Sequence, residues 1–473
     1  MKSYSIKTIL FCVFLCSGIF IYGQSTLKLK KGEVIDSLTV PSSEGSNYSI
    51  YLPKSFDLNK SWPILFGFDS NNNSNKITTL FSKAAEELGF VVVVTNFSEK
   101  LSINDKSKYV AFFMEHIFNL FPIQKRRVYV VGIGNDGPLN SLLPLIYEEF
   151  NGVIAVGNSY YYNESVKVRR DFSYIGMVGN KNYRYQDFFN TKKYLRRRAV
   201  ISDIYTYEGN EELPSEDLMV KALTSFTLQD MLKGKIQTDS IWVKNIFKKN
   251  LEEITLLKSQ GKYVIAYDEL TRMRDRYRLF FDVDQLKEEQ KGIRKINSYK
   301  KEKRLRSKYH NREKLLRETF ILSLEEDIEL NQYDNLGWWQ YRMNELDELG
   351  KSKEKYATNM VLRIKDFLKK VLVDYKTDTV KEEKEIDKKI FVNILSTIVD
   401  KNDFESYRKI ISLSAIDQDN STALFYLEKM LQNGYKELES LYNIEGTLAL
   451  RISKEYNNII KKYLGTSKYF TFN

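Results

Sequence analysis

The chain has 473 residues, 73 Lys and Arg against 62 Asp and Glu, and a net charge of +11. That length suffices for two hydrophobic cores, and the charges mostly alternate along the chain, which suits a soluble surface and argues against dedicated nucleic-acid recognition. Both cysteines, Cys12 and Cys16, fall in the first 23 residues. The rest of the chain therefore has no disulfide, thiolate metal site or cysteine nucleophile.

The first segment begins Met1-Lys2-Ser3-Tyr4-Ser5-Ile6-Lys7, turns apolar from Ile9 to Tyr22 and ends Gly23-Gln24. A basic start, a short apolar core and a small residue before a polar one describe a secretory signal peptide, with cleavage predicted between Gly23 and Gln24. The apolar run of about 14 residues is short of the roughly 20 that span a bilayer, so no transmembrane span is expected after cleavage. Leu15 before Cys16 fits poorly with a lipoprotein processing site. The expected location is secreted, periplasmic or at the cell surface. Loss of Lys2 and Lys7 leaves 71 basic against 62 acidic residues, a net charge of +9.

All seven prolines lie between Pro41 and Pro214, and residues 215–473 contain none. Average usage would put roughly 13 there. Proline is costly inside helices, so the second tract reads as helix after helix. The division predicted is 1–23 signal peptide, 24–230 α/β domain and 231–473 helical domain.

In the α/β region, Tyr48–Leu52, Pro63–Phe68 and the valine-rich Phe90–Thr95 read as strands. Helices are predicted over Ile77–Leu88 and roughly 107–120. Val128–Val131 is a strand, followed by a helix near 139–148, and Gly152–Gly157 and Tyr174–Val178 are further strands. A helix near 184–197, a strand at Val200–Tyr207 and a helix after Pro214 complete the pattern. Near-regular alternation predicts a mainly parallel sheet covered on both faces, with any ligand site beyond the carboxyl ends of the strands.

The most informative stretch is Arg127-Val128-Tyr129-Val130-Val131-Gly132-Ile133-Gly134-Asn135-Asp136-Gly137, an apolar strand entering a Gly-rich turn before a helix. Together with Ile50-Tyr51-Leu52-Pro53, Trp62-Pro63-Ile64-Leu65-Phe66, Phe68-Asp69 and Phe150-Asn151-Gly152-Val153-Ile154-Ala155-Val156, it resembles the α/β-hydrolase superfamily. The likeness is to secreted esterase-like members of the polyhydroxybutyrate-depolymerase and feruloyl-esterase types, over residues 30–230. The resemblance implies a nucleophile on a G-x-S-x-G turn, an acid and a histidine, in that chain order. Position by position it puts the nucleophile at Gly134, the acid at Asn182 in Gly179-Asn180-Lys181-Asn182, and the base at Asn210 in Gly209-Asn210-Glu211. None of the three can perform its role, and removing even one member of a triad leaves only residual rate. The loop Ser70-Asn71-Asn72-Asn73-Ser74-Asn75 also stands where relatives tend to be Gly-rich.

Two readings follow. In the first, the domain is non-catalytic, with a cleft near Asn71, Asn135, Asp136 and Glu211 that holds a small ester- or sugar-like ligand. In the second, it is an active carboxylic-ester hydrolase with a displaced nucleophile at Ser141 or Ser159. Asp136 and Glu211 would form a carboxylate pair if the fold joined them, but solvated loop acids are the simpler expectation. His116 is expected to be structural and His310 solvent-facing. Two separated histidines and no cysteine predict no zinc site, and no cofactor is expected.

Residues 240–473 read as antiparallel helices broken at Gly261, Gly337, Gly350, Asp419-Asn420 and Asn433-Gly434, residues suited to left-handed helix ends. Gly261-Lys262-Tyr263-Val264-Ile265-Ala266 resembles the Gly-x-Tyr-x-x-Ala of tetratricopeptide helix pairs, and Gly350 with Tyr356-Ala357 is a looser version. The last unit matches best: Leu424 and Leu427, Asn433-Gly434-Tyr435, Leu441, Leu448-x-Leu450-Arg451, Tyr456 and Ile459. No 34-residue period can be phased through 270–410. The resemblance implies a protein or peptide partner along a concave face. Lys287–Glu318 carries 13 Lys or Arg against five acids, with Leu305, Tyr309 and Leu316 on one helical stripe. A solvated helix face is favoured there over an anionic membrane or acidic partner, and nucleic acid is not expected. Trp338-Trp339-Gln340-Tyr341 reads as core packing between helices rather than a ligand platform.

Overall fold

The computed structural model describes residues 30–40, 46–98, 100–169, 171–381 and 386–470. The predicted leader, with both cysteines, lies outside the described residues.

Eight strands form one sheet: β1 (Val34–Thr39), β2 (Asn47–Tyr51), β3 (Trp62–Asp69), β4 (Val91–Asn96), β5 (Ile123–Ile133), β6 (Phe150–Val156), β7 (Ser173–Gly179) and β8 (Ile201–Tyr207). Their spatial order is β1-β2-β4-β3-β5-β6-β7-β8. Only the β1–β2 and β2–β4 pairs are antiparallel. The sequence pattern misses β1 because that edge strand is polar, shifts register between Ile35 and Leu38 and has Ser37 at φ +57°.

The valine-rich strands are apolar at every position because the sheet is covered on both faces. Ile64, Phe66, Val91, Val93, Val128, Val130 and Val153 point into one core, shared with Phe113 and Ile117 of α2 (Ile103–Leu120), Leu143 of α3 (Gly137–Ile146) and Phe188 and Leu195 of α4 (Tyr185–Arg197). Their neighbours Leu65, Val92, Val94, Tyr129, Val131 and Ile154 point the other way, onto Phe81 and Ala84 of α1 (Ser74–Leu88) and Ala222 and Phe226 of α5 (Glu216–Leu232).

The helical half follows as α6 (Ser240–Ser259), α7 (Tyr263–Tyr277), α8 (Asp284–Lys295), α9 (Asn297–Leu330), α10 (Leu336–Gly350), α11 (Lys355–Lys381), α12 (Ile386–Val399), α13 (Phe404–Ile416) and α14 (Asn420–Gln432), with shorter helices to Leu464. Gly261 at φ +71° and Gly434 at φ +95° lie in the turns between helices. Gly337 does not break a helix as expected. It lies inside α10, and the left-handed residue that ends α9 is Asn331 at φ +48°. Trp339 is fully buried, stacks on Phe320 at 5.6 Å and donates from Nε1 to Asp327 at 2.7 Å, whereas Tyr341 is exposed. Among the described residues, no helix is long and apolar enough to cross a membrane.

Candidate ligand cleft at the carboxyl end of the sheet

Strand β5 ends in the sharp turn that the sequence singles out. Gly134 takes φ +57°, and the chain passes through one 3-10 turn into α3. Two flanking glycines are required by close approach. A Cβ on Gly132 would lie 2.5 Å from the Asn140 Cβ, and one on Gly137 would lie 2.2 Å from the Asn158 carbonyl oxygen. Gly134 differs: a Cβ there would meet nothing within 4 Å. Buried Asn140 holds the turn to the sheet, donating from Nδ2 to the carbonyls of Phe68 at 2.9 Å and Asp136 at 2.8 Å. The elbow is thus a sharp turn with open space at Gly134 and no side chain to fill it.

The loop after β3 faces this turn, where an acyl-transfer enzyme would aim amide donors at a developing oxyanion. Its donors are already used. The Ser70 amide donates to Asp136 Oδ2 at 2.9 Å, the Ser70 hydroxyl to Oδ1 at 2.8 Å, and Asn71 Nδ2 to Oδ2 at 3.2 Å. The amides of Asn71 and Asn73 donate to Asp69 Oδ2 at 3.0 and 2.7 Å. Asp136 and Asp69 are both buried, so these donors already serve resident carboxylates. Burial pushes the Asp136 carboxyl up, opposed by the Ser70 hydrogen bonds and reinforced by Asp69.

Asn182 and Asn210 come together beyond β7 and β8. Asn182, almost fully buried, donates from Nδ2 to the Asn210 carbonyl at 3.1 Å and accepts the Arg184 amide at 2.8 Å. Asn210 donates from Nδ2 to Asp366 Oδ2 at 3.1 Å, on α11 of the helical half. The surrounding loops are covered by α9 and α11. Gln186 donates to the His310 carbonyl at 3.0 Å, Arg317 to the Tyr183 carbonyl and Arg363 to the Asn180 carbonyl. Lys355 pairs with Glu208 at 2.7 Å. Arg363 lies over the Tyr185 ring at 4.6 Å. Behind them, fully buried Glu313 bridges Arg317 at 3.0 Å and both Nε and the terminal nitrogen of Arg363. No sequence spacing signals this cluster, because Asp366 lies 156 residues from Asn210.

A mainly parallel sheet in this strand order, two covering helical layers and a Gly-rich elbow after β5 are now in view. The first half has an α/β-hydrolase-like fold. No family model matches the chain, and no curated protein matches it. Solved structures similar to it include an S-formylglutathione hydrolase from Staphylococcus aureus, at 14% identity over 42% of this chain and 97% of that one, with a TM-score of 0.33. Est1E from Butyrivibrio proteoclasticus matches at 9% identity over 42% of this chain and 99% of that one, with a TM-score of 0.33. A ferulic acid esterase matches at 11% identity over 41% and 97%, with a TM-score of 0.34.

The remaining candidates separate clearly in this α/β-hydrolase-like frame. Ser141 is fully buried, donates to the Pro138 carbonyl at 3.1 Å and accepts the Tyr160 amide at 2.6 Å. Ser159 accepts from the Tyr174 hydroxyl at 2.9 Å, and burial pushes that phenol well above its usual range. Neither serine hydrogen-bonds a histidine or a carboxylate among the described residues. His116 packs against Tyr48 and Phe113 on α2, and burial lowers its pKa. His310 departs from the expected solvent-facing position. It is half-buried against the α/β half, and burial together with Arg363 and Arg306 lowers its pKa against the pull of Glu313.

The expected cleft residues do not form one constellation. Asn71 and Asp136 meet, Asn135 is exposed on the turn, and Glu211 is exposed beyond β8. No Asp136–Glu211 carboxylate pair forms, because Asp136 turns inward to Ser70. Beside the elbow lies a shallow, open depression lined by Asn158, Tyr160, Tyr161, Arg184 and Asp187 among others. Among the described residues there is no group of three or more His, Cys, Asp or Glu able to hold a metal.

Proposed function

We propose that this is an exported, non-catalytic α/β-hydrolase-like protein that works by binding. In this reading, the tetratricopeptide-like helical half takes a protein or peptide partner. The depression near Tyr160 and Arg184 takes a small ester- or sugar-like ligand. The observation that carries the proposal is the Asp136 carboxylate seated on the Ser70 amide and hydroxyl, opposite a Gly134 with no side chain. A resident anion there opposes the charge that builds on a tetrahedral intermediate, so nucleophile and electrostatic stabilisation are both missing. Purified protein incubated with short-chain p-nitrophenyl esters and a fluorophosphonate probe is expected to show neither turnover nor serine labelling. Labelling abolished by Ser141→Ala or Ser159→Ala would overturn the proposal in favour of an esterase with a displaced nucleophile.

A further inference from the structure

The outer face of α9 is divided along its length. Its basic end presents Lys300, Lys301, Arg304, Lys308 and Lys314, all exposed. Its other end presents Glu318, Glu325 and Glu326, also exposed. Between and beyond them stand Leu315, Leu322 and Leu330, at 64%, 67% and 60% exposure. At 100° per residue, Lys300, Arg304, Lys308, Leu315, Glu318, Leu322 and Glu326 share one stripe, opposite the buried Tyr309, Leu316, Phe320, Leu324 and Asp327. Among the described residues, none offers an ion-pair partner to Lys300, Lys301, Arg304 or Lys308, nor to Glu325 or Glu326. A continuous 34-residue helix therefore shows solvent a cationic end, leucines and an anionic end.

Such a stripe is complementary to itself when reversed. We propose that the chain pairs with a second copy through this face, the two α9 helices running antiparallel about a two-fold axis near Glu318. Leu315 of each copy then meets Leu322 of the other, making a four-leucine centre. Glu326 of each lies between Lys308 and Lys314 of the other, one turn to either side. The interface is isologous, so each contact occurs twice. An anionic membrane would satisfy the basic end and the leucines but repel Glu318, Glu325 and Glu326, which favours the second copy.

Light scattering on the full chain is expected to return twice the 55.7 kDa of one copy. Leu315→Glu with Leu322→Glu should give a monomer, as should Lys308→Glu with Lys314→Glu, and Glu325→Lys with Glu326→Lys. Combining the two charge reversals in one chain should restore the dimer, since each reversed end again faces its opposite. In a Cys12→Ser, Cys16→Ser background, Glu318→Cys should cross-link the dimer on oxidation. Lys300→Cys should not, because its two copies would lie about 55 Å apart along the helices. A monomeric wild-type chain, or a dimer indifferent to all these substitutions, overturns the proposal. So does a monomer that sediments with phosphatidylglycerol vesicles through Lys300–Lys314, and that result assigns the face to an anionic surface.

Discussion

The two ends of the cleft are built in different ways. At the elbow, Gly134 has a left-handed backbone and open space around it. Beyond β7 and β8, Asn182 and Asn210 are fastened to each other and to Asp366, beneath α9 and α11. The first region has no reactive atom but retains room for one. The second has given its room to the contact between the two halves of the molecule. A turn glycine that faces open space makes no side-chain contact, whereas a residue drawn into the contact between the two halves acquires a structural role.

The sharpest way to break this comparison is Glu313→Gln. Its carboxylate is fully buried between Arg317 and Arg363, and removing the charge leaves two enclosed guanidinium groups short of a partner. A loss of about 3–5 kcal/mol is expected in urea unfolding. The α/β and helical halves should then unfold in separate transitions, whereas an unchanged single transition would mean that the cluster does not couple them.

A second measurement uses pH. Burial alone would raise the Asp203 carboxyl on β8, but Arg272, Lys192 and Arg276 outweigh it and hold the group at about 2. Its folded pKa lies below the ordinary 3.8, so its contribution, about 2 kcal/mol, is complete above that pH and fades as pH falls towards 2. Asp136 shifts the opposite way, so its titration favours the folded state as pH falls. Melting curves from pH 6 to pH 2 should show an acid-side decline that is shallower in Asp203→Asn and steeper in Asp136→Asn. Equal slopes in both variants would remove the electrostatic contrast between the elbow and the contact of β8 with α7.

The smallest effects separate the degenerate positions themselves. Asn182→Asp replaces a buried donor with a carboxylate facing the Asn210 carbonyl, and a loss of about 1–2 kcal/mol is expected. Gly134→Ala meets no neighbouring atom and bears only the left-handed backbone strain, about 1 kcal/mol. Denaturation midpoints that reverse this ranking would contradict the assignment of Asn182 to a structural contact.

Much of this architecture was readable before any coordinates. Short apolar runs between amphipathic stretches in residues 48–230 mark seven of the eight strands, because strands covered on both faces must be apolar throughout. Edge strand β1 has no such run, since Asp36 and Ser37 interrupt it where the register shifts. In the helical half, Gly261 and Gly434 marked turns correctly, but Gly337 misled. Glycine is tolerated in a helix, and Asn331 adopted the left-handed conformation instead. His310 was misplaced for a related reason. A basic, charge-rich sequence looks solvated until a second domain covers it, and nothing local to Lys303–Lys314 records that α4 and its preceding loop lie against it.

The site divides along the same line. Sequence alone determined which atoms are missing: no serine, acid or histidine stands at Gly134, Asn182 or Asn210, and side-chain chemistry is local information. It also marked the turn, because a Gly-rich stretch between an apolar strand and a helix is local information, although the Asn158 contact that Gly137 makes room for lies beyond the end of β6. Only the tertiary structure decided what the residues around these positions touch. Asp136 found Ser70 across 66 residues, and Asn210 found Asp366 across 156. Such pairings depend on how the sheet end meets the loops and helices above it, and that geometry is settled by packing rather than by any spacing along the chain.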